Sequence, residues 1–211
     1  MSLVAARDHV RNNLLEFTRT AFSMIPPIDN PCILDIGCGT GVQTIELAKI
    51  SNGKVTAIDI DAKALDILRH KAKDAGVSDR ISIMELSMLK LNNLNEIYDI
   101  IWAEGSIFIV GFENGLRDWK RLLTRDGFLV VHDEDTDVDT KLQLIEKHGY
   151  QEIGLIEISH DEWWKKYYAP LGNLLGKMGI NGDNEKSLKD EINMFRKTRM
   201  GSILFILQSK S

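Results

Sequence analysis

Apolar residues along the chain follow two alternating rhythms. One has helical spacing, with apolar positions three and four apart. The other is a short continuous apolar run bounded by turn-forming residues. Val10, Leu14, Phe17 and Ala21 share one helical face, and Pro26-Pro27 ends that pattern. Cys32 to Ile36 is short, apolar and followed by Gly37, which predicts a buried strand. A helix is expected from about Val42 to Ile50, closed at Asn52-Gly53, and then a second strand from Val55 to Ile60. Asp61 is placed to cap a helix whose Leu65, Leu68, Ala72 and Ala75 lie on one face, with Gly76 as its stop.

The alternation continues with strands at Ile81–Leu86 and Tyr98–Ala103. A helical stripe of Phe112, Leu116, Trp119 and Leu123 follows, and then a turn at Arg125-Asp126-Gly127. A fifth strand is expected at Phe128–Val131, a helix through Val138, Leu142 and Ile145 to His148-Gly149, and a sixth strand at Ile153–Ile158. Ser202 to Gln208 is almost wholly apolar, so this last strand is predicted to be interior and covered on both faces. Strands alternating with helices predict an α/β fold, with a mostly parallel sheet and helices on both sides. Residues 160–199 break the rhythm and are too long for a plain loop. They carry Trp163, Trp164, Tyr167 and Tyr168, with eight basic and six acidic residues, and are expected to form a helical insertion over one edge of the sheet. The expected organisation is one domain over residues 1–211. It comprises a helical cover (1–30), a core (31–159), the insertion (160–199) and the last strand (200–211).

Composition narrows the function classes. The 211 residues carry 26 Lys+Arg against 31 Asp+Glu, a formal charge of −5. That balance argues against a general nucleic-acid or anionic-membrane binder, since both need a basic face. No apolar run reaches the ~18 residues of a membrane span, and no signal-peptide pattern opens the chain. Cys32 and Cys38 do not form a disulfide framework. The expectation is a cytoplasmic, reduced protein with no membrane association.

The most informative stretch is Leu34-Asp35-Ile36-Gly37-Cys38-Gly39-Thr40-Gly41. In open α/β sheets, ligands bind beyond the carboxyl ends of strands, where the chain turns into a helix. Glycine there lets the main chain approach a ligand closely. The spacing is G-x-G-x-G with Val42 next, so the dinucleotide fingerprint G-x-G-x-x-G fails at its third glycine, and no P-loop lysine follows. Asp35 beside the turn suits a ligand bearing an ammonium or sulfonium better than a pyrophosphate. Asp59, at the end of the second strand, can accept hydrogen bonds from both hydroxyls of a ribose.

The run ILDIGCGTG (Ile33–Gly41), the acid at Asp59 and the run LLTRDGFLVV (Leu122–Val131) resemble the class I S-adenosylmethionine-dependent methyltransferases. The resemblance implies that family's Rossmann-like, seven-stranded, mostly parallel sheet with an antiparallel last strand. It also implies S-adenosyl-L-methionine as cofactor. Asp35, Gly37, Cys38, Gly39 and Gly41 would surround its methionine moiety and ribose, Asp59 would hold the ribose diol, and Ile60 would pack beside the adenine. Leu86, Ser87 and Met88 would line the adenine pocket, with Ser87 where many members carry an acid. Trp102–Ile107, Gly111–Leu116 and Tyr167–Leu171 are similar to a subgroup of small methyltransferases, which narrows the family and not the reaction; the expected function is methylation of a small molecule.

On the substrate side, Glu104 follows the fourth strand at the ligand-binding rim, where it could orient the cofactor amine or serve a substrate. His132 ends the fifth strand on the same rim, with a pKa suited to proton transfer. Tyr167 and Tyr168 could lid the pocket, whereas Trp163 and Trp164 are expected to pack the insertion down. The acidic run Asp133–Asp139 fails as a calcium loop, with Val138 and Leu144 where glycine and glutamate are needed. Its plain reading is a solvated helix N-terminus; a magnesium-assisted oxygen methylation would draw on the same acids, and no metal site is expected. Ala103-Glu104-Gly105-Ser106 lacks the Pro-Pro-aromatic motif of amino-directed nucleic-acid methyltransferases, so a nucleic-acid partner is not expected. Two alternatives stay open: an NAD(P)-dependent oxidoreductase on a similar sheet, and a non-catalytic S-adenosylmethionine-binding protein. The acceptor atom and the oligomeric state are not legible.

Overall fold

The structure is a computed structural model that describes residues 2–178 and 183–210. Seven strands are present: β1 (Cys32–Ile36), β2 (Lys54–Asp59), β3 (Ile81–Glu85), β4 (Tyr98–Glu104), β5 (Leu123–Glu134), β6 (Tyr150–Ile158) and β7 (Ser202–Ser209). They form one sheet in the order β3-β2-β1-β4-β5-β7-β6. Five strands run parallel, and β7 is antiparallel to both neighbours, with Val131 opposite Phe205 and Leu155 opposite Phe205. β7 lies between β5 and β6 and sends Leu204 and Ile206 into one core and Ile203, Phe205 and Leu207 into the other, so both of its faces are buried, which explains its unbroken apolar run. A dinucleotide-type sheet continues 3-2-1-4-5-6 in parallel; the antiparallel β7 inserted before β6 sets this sheet apart from it.

Strand residues alternate between two cores. Ile33, Val55, Ile100 and Trp102 face the layer built from helices α1 (Leu3–Arg11), α2 (Leu15–Met24), α3 (Val42–Ser51) and α4 (Ala62–Asp74). Leu34, Ile36, Ile101 and Leu129 face α5 (Phe112–Trp119) and α6 (Val138–Lys147). The Asp61 carboxylate caps α4 by accepting from the Lys63 and Ala64 amides, as its position predicts. Val10, Leu14, Phe17 and Ala21 are all buried, although a short 3₁₀ turn at Asn12–Leu14 divides the N-terminal helix in two.

Two expected boundaries are corrected. The Arg125-Asp126-Gly127 turn does not precede β5 but forms a bulge within it: Tyr98 pairs with Leu123 and Ile100 with Phe128, with Asp126 at φ 61°. At the other end, β5 runs on through Asp133 and Glu134, which pair with Ile203 and Ser202, so these acids belong to a strand and not to a helix N-terminus. Asp133 is ion-paired with the buried Lys141 at 2.7 Å, and Asp135 accepts from the Gly201 amide at 2.9 Å. Pairing with β7 claims only Asp133 and Glu134; the later acids stand at the helix start as expected, with Asp137 at the N-cap of α6 and Asp139 in its first turn.

The insertion is helical, as expected: α7 (His160–Trp163) passes through a π-helical turn (Trp164–Tyr168) into α8 (Ala169–Met178), followed by α9 (Asp183–Thr198). Residues 179–182 of the predicted insertion lie outside the described residues. It does not lie over a sheet edge. It covers the carboxyl rim and docks onto the N-terminal helices, with Asn13 donating to the Lys166 carbonyl at 2.9 Å and Trp163 donating to Ser202 Oγ at 2.8 Å. The edge strand β6 is covered by α2 instead: a Cβ on Gly154 would come within 2.6 Å of Met24 Sδ. No helix among the described residues is long and apolar enough to cross a membrane.

Candidate cofactor and substrate site

The parallel strands deliver three carboxylates to one end of the sheet: Asp35 from β1, Asp59 from β2 and Glu104 from β4. Between β1 and α3 the glycine turn is held by the Gly37 and Cys38 amides, which both donate to the Ile58 carbonyl, and by the Gly39 amide, which donates to Asp59 Oδ2 at 2.8 Å. The other Asp59 oxygen accepts from the Asp61 amide at 2.9 Å. Asp59 therefore ties the turn to β2 and stands at the rim with lone pairs to spare.

Two cavities flank this turn and share Gly37 and Gly105 as a common neck. The smaller, about 270 Å³, is lined by Ile58, Asp59, Ile60, Leu86, Ser87 and Met88, with Leu89, Ser106 and Ile109. The larger, about 520 Å³, is lined by Cys38, Gly39, Gln43 and Glu104 on the core side and by Arg7, Arg11 and Leu14 from the N-terminal helices. Trp163, Tyr167, Tyr168, Glu191, Phe108, Ile158 and His132 complete it. Nine of the eleven sequence-predicted cofactor residues line one cavity or the other: Gly37, Cys38, Gly39, Asp59, Ile60, Leu86, Ser87, Met88 and Glu104, with only Asp35 and Gly41 outside. A Cβ on Gly39 would meet nothing within 4 Å, so the turn leaves an open cradle there.

Asp35 and Gly41 stand behind the turn. Asp35 is buried and accepts from Thr44 Oγ1 at 2.6 Å; burial, with Glu104 and Asp59 nearby, pushes its carboxyl up to about 7. Gly41 is a packing glycine, whose Cβ would lie 2.1 Å from Leu68 Cδ1. Glu104 accepts from Trp102 Nε1 at 3.0 Å, Gln43 Nε2 at 3.0 Å and Thr18 Oγ1 at 3.1 Å. Burial raises its pKa and these three donors oppose the rise. Burial likewise pushes the Cys38 thiol up, which keeps it protonated and poorly nucleophilic.

The substrate-side candidates His132, Tyr167 and Tyr168 all line the larger cavity. Burial lowers His132 to about 4, so the ring is neutral at pH 7, and its Nε2 lies 2.7 Å from Ser202 Oγ. Tyr167 accepts from Arg7 Nη1 at 2.8 Å, and Arg7 holds Glu191 through both guanidinium nitrogens. Tyr168 stacks on Phe195 at 3.9 Å. Trp163 lines the cavity as well as packing the insertion. Arg7, Arg11, Gln43, Phe108 and Glu191 were not singled out from sequence. The available signal was Arg7, Arg11 and Leu14 at spacings of four and three, one face of the N-terminal helix that turns toward the rim. Among the described residues no group of three or more metal-ligating side chains is assembled.

Residues 33–127 match the family model for a methyltransferase domain. The ribosomal protein L11 methyltransferase of Dictyoglomus turgidum is 29% identical over 133 residues, 63% of this chain and 42% of that protein. A putative sarcosine dimethylglycine methyltransferase from Galdieria sulphuraria superposes with TM-score 0.78 at 14% identity, over 92% of this chain and 84% of that one. A SAM-dependent methyltransferase from Thiobacillus denitrificans, solved in complex with S-adenosyl-L-homocysteine, gives TM-score 0.74 at 15% identity, over 92% and 91%. The chain spans less than half the length of the curated relatives it matches. The chain thus has the fold of these solved methyltransferases, and its residues 33–127 are similar to a methyltransferase domain.

Proposed function

We propose that this chain is an S-adenosylmethionine-dependent methyltransferase acting on a small molecule. The observation that carries the reading is the pair of cavities sharing Gly37 and Gly105, with the Asp59 and Glu104 carboxylates lining them and the glycine cradle open toward them. The smaller cavity offers apolar walls at Ile60, Leu86 and Met88 for an adenine, and the Asp59 carboxylate for a ribose diol. The electronegative neck suits a ligand whose sulfonium and ammonium carry positive charge, and it disfavours a pyrophosphate. S-adenosylmethionine supplies an electrophilic methyl group on its sulfonium.

The chain's own part is to orient and to exclude water. Glu104, fixed by Trp102, Gln43 and Thr18, presents a rigid acceptor for an ammonium. The insertion and the N-terminal helix, clamped together by Arg7, Glu191 and Tyr167, roof the larger cavity, which favours a small acceptor over a protein segment. Calorimetric and thermal-shift titration with S-adenosylmethionine, S-adenosylhomocysteine and NAD tests the reading, against Asp59→Ala. At 100 times its Kd a ligand adds about 2.7 kcal/mol, roughly 5–10 °C for a chain this size. Stabilisation by the two adenosyl ligands, lost in the variant, is expected. A response to NAD alone would overturn the proposal. The acceptor is then sought among amines, alcohols, thiols and protein substrates by methyl transfer; turnover of a protein alone would overturn the small-molecule part.

A further inference from the structure

Ser202, the first residue of β7, is buried beneath the larger cavity, and its single hydroxyl meets two ring nitrogens. Trp163 Nε1 lies at 2.8 Å and His132 Nε2 at 2.7 Å. An indole N–H can only donate, so one lone pair of Ser202 Oγ is taken. The serine has one hydrogen of its own, and among the described residues the only acceptor beside it is His132 Nε2. Were Nε2 to carry the imidazole proton instead, two N–H groups would converge on one oxygen and the serine hydrogen would be buried without an acceptor. The proton of the neutral ring therefore belongs on Nδ1.

That second nitrogen has no partner among the described residues, yet no buried side-chain nitrogen or oxygen among them is left unpaired. Nδ1 is thus open to the cavity that the ring lines. The charged neighbours are committed elsewhere: Asp133 on β5 to Lys141, Glu104 on β4 to its three donors, Arg7 on α1 to Glu191 on α9. Tyr167 accepts from Arg7. Burial keeps the ring uncharged, consistent with this assignment.

We propose that His132 is a specificity-determining residue that presents a fixed Nδ1–H donor, set by the Trp163–Ser202 pair, to an oxygen acceptor atom of the molecule bound in the larger cavity. This rests on the reading that the larger cavity holds the methyl acceptor. A general base would need a free lone pair on the ring, and here the lone pair is engaged by Ser202. Proton transfer, where the acceptor requires it, falls to another group. Because Trp163 belongs to the insertion and Ser202 to the sheet, the donor is correctly set only when the insertion is docked. The aromatic walls formed by Trp163, Tyr167 and Tyr168 favour a flat ligand, so benzoate is a suitable oxygen-bearing probe and benzylamine its cationic counterpart.

The test is nitrogen NMR of protein labelled at histidine. Between pH 5 and 8 the His132 ring is expected to show a protonated Nδ1 and a bare Nε2, and Ser202→Ala is expected to mix the two tautomers. A proton resident on Nε2 in the wild type, or a ring charged at pH 7, would overturn the assignment. Benzoate is expected to move the Nδ1 resonance and benzylamine to leave it in place. His132→Asn, which keeps a donor near Nδ1, should retain benzoate binding, and His132→Phe should weaken it roughly tenfold. Equal response to both probes, or none to benzoate, would overturn the ligand role. None of these measurements needs S-adenosylmethionine, so their failure and a failure of cofactor binding are distinguishable.

Discussion

Gly39 and Gly41 stand two residues apart in the same turn, both at positive φ (52° and 76°), yet alanine at each has a different consequence. On Gly41 the new methyl would lie 2.1 Å from Cδ1 and 2.9 Å from Cγ of Leu68. Leu68 is fully buried on α4 and has no room to retreat. Overpacking of a filled core costs about 1–3 kcal/mol, and the left-handed backbone costs a side-chain-bearing residue about 1–2 kcal/mol. Together these give roughly 2–5 kcal/mol, or a fall in Tm of about 4–20 °C at this chain length. On Gly39 the methyl meets no protein atom within 4 Å, so the backbone contribution stands alone and Tm falls by roughly 2–8 °C. That methyl does enter the larger cavity, and a loss of 1.4 kcal/mol there is already about tenfold in affinity. Paired thermal unfolding and calorimetric titration with S-adenosylmethionine separate the two. Gly41→Ala should be the less stable protein, and Gly39→Ala should lose at least about tenfold in binding. Equal loss of Tm in both, or wild-type affinity in Gly39→Ala, would refute the division into one packing glycine and one ligand-facing glycine.

Asp35 is expected to make stability fall as pH rises. Its folded pKa of about 7 lies above its ordinary value of 3.8, so the stabilisation is complete below pH 3.8 and is lost as pH climbs through 7. Against Asp35→Asn, whose side-chain oxygen still accepts from Thr44, the wild type should lose up to about 1.4 kcal/mol per pH unit between pH 4 and 7, read from urea unfolding; parallel curves would refute this. A cation bound near Asp35 favours its charged form, so S-adenosylmethionine binding at pH 7 should release a fraction of a proton, seen as a buffer-dependent enthalpy that Asp35→Asn abolishes. Glu104→Leu should destabilise by about 1–3 kcal/mol, because it strands the buried Trp102 indole N–H, and Glu104→Gln by less; equal losses would count against the hydrogen-bond argument. Glu191→Gln loosens a half-exposed ion pair and should change global stability by under about 1 kcal/mol. Limited proteolysis within 160–199 should nevertheless accelerate, and unchanged cleavage would show that the clamp does not hold the insertion.

Most of the fold was legible because it is written in local periodicity. Each of the seven strands contains most of the apolar run that predicts it, although β5 also takes in Leu123, read as part of a helical stripe, and Asp61 and Gly76 mark the ends of α4. What was misread required contacts distant in sequence. Nothing in Arg125-Asp126-Gly127 distinguishes a turn before a strand from a bulge inside one; the register of β5 against β4 decides it. The acids at Asp133 and Glu134 are drawn into β5 by β7, which arrives some 70 residues later. The partner of Asp35 was not legible either: its carboxylate accepts from Thr44 on α3, and a strand's period-2 pattern does not say which face a following helix will cover.

The sequence by itself determined the alternating fold, the glycine turn and the acid at the end of β2, because each depends on residues near one another along the chain. The tertiary structure decided which of the charges and rings at the rim are available to a ligand. Arg7 is engaged only because Tyr167 and Glu191, 160 and 184 residues away, come to meet it. The donor role proposed for His132 depends likewise on Ser202, 70 residues on, whose Oγ lies 2.7 Å from Nε2. Hydrogen-bond partners and desolvation set a group's protonation, and both exist only once the distant segments have packed together.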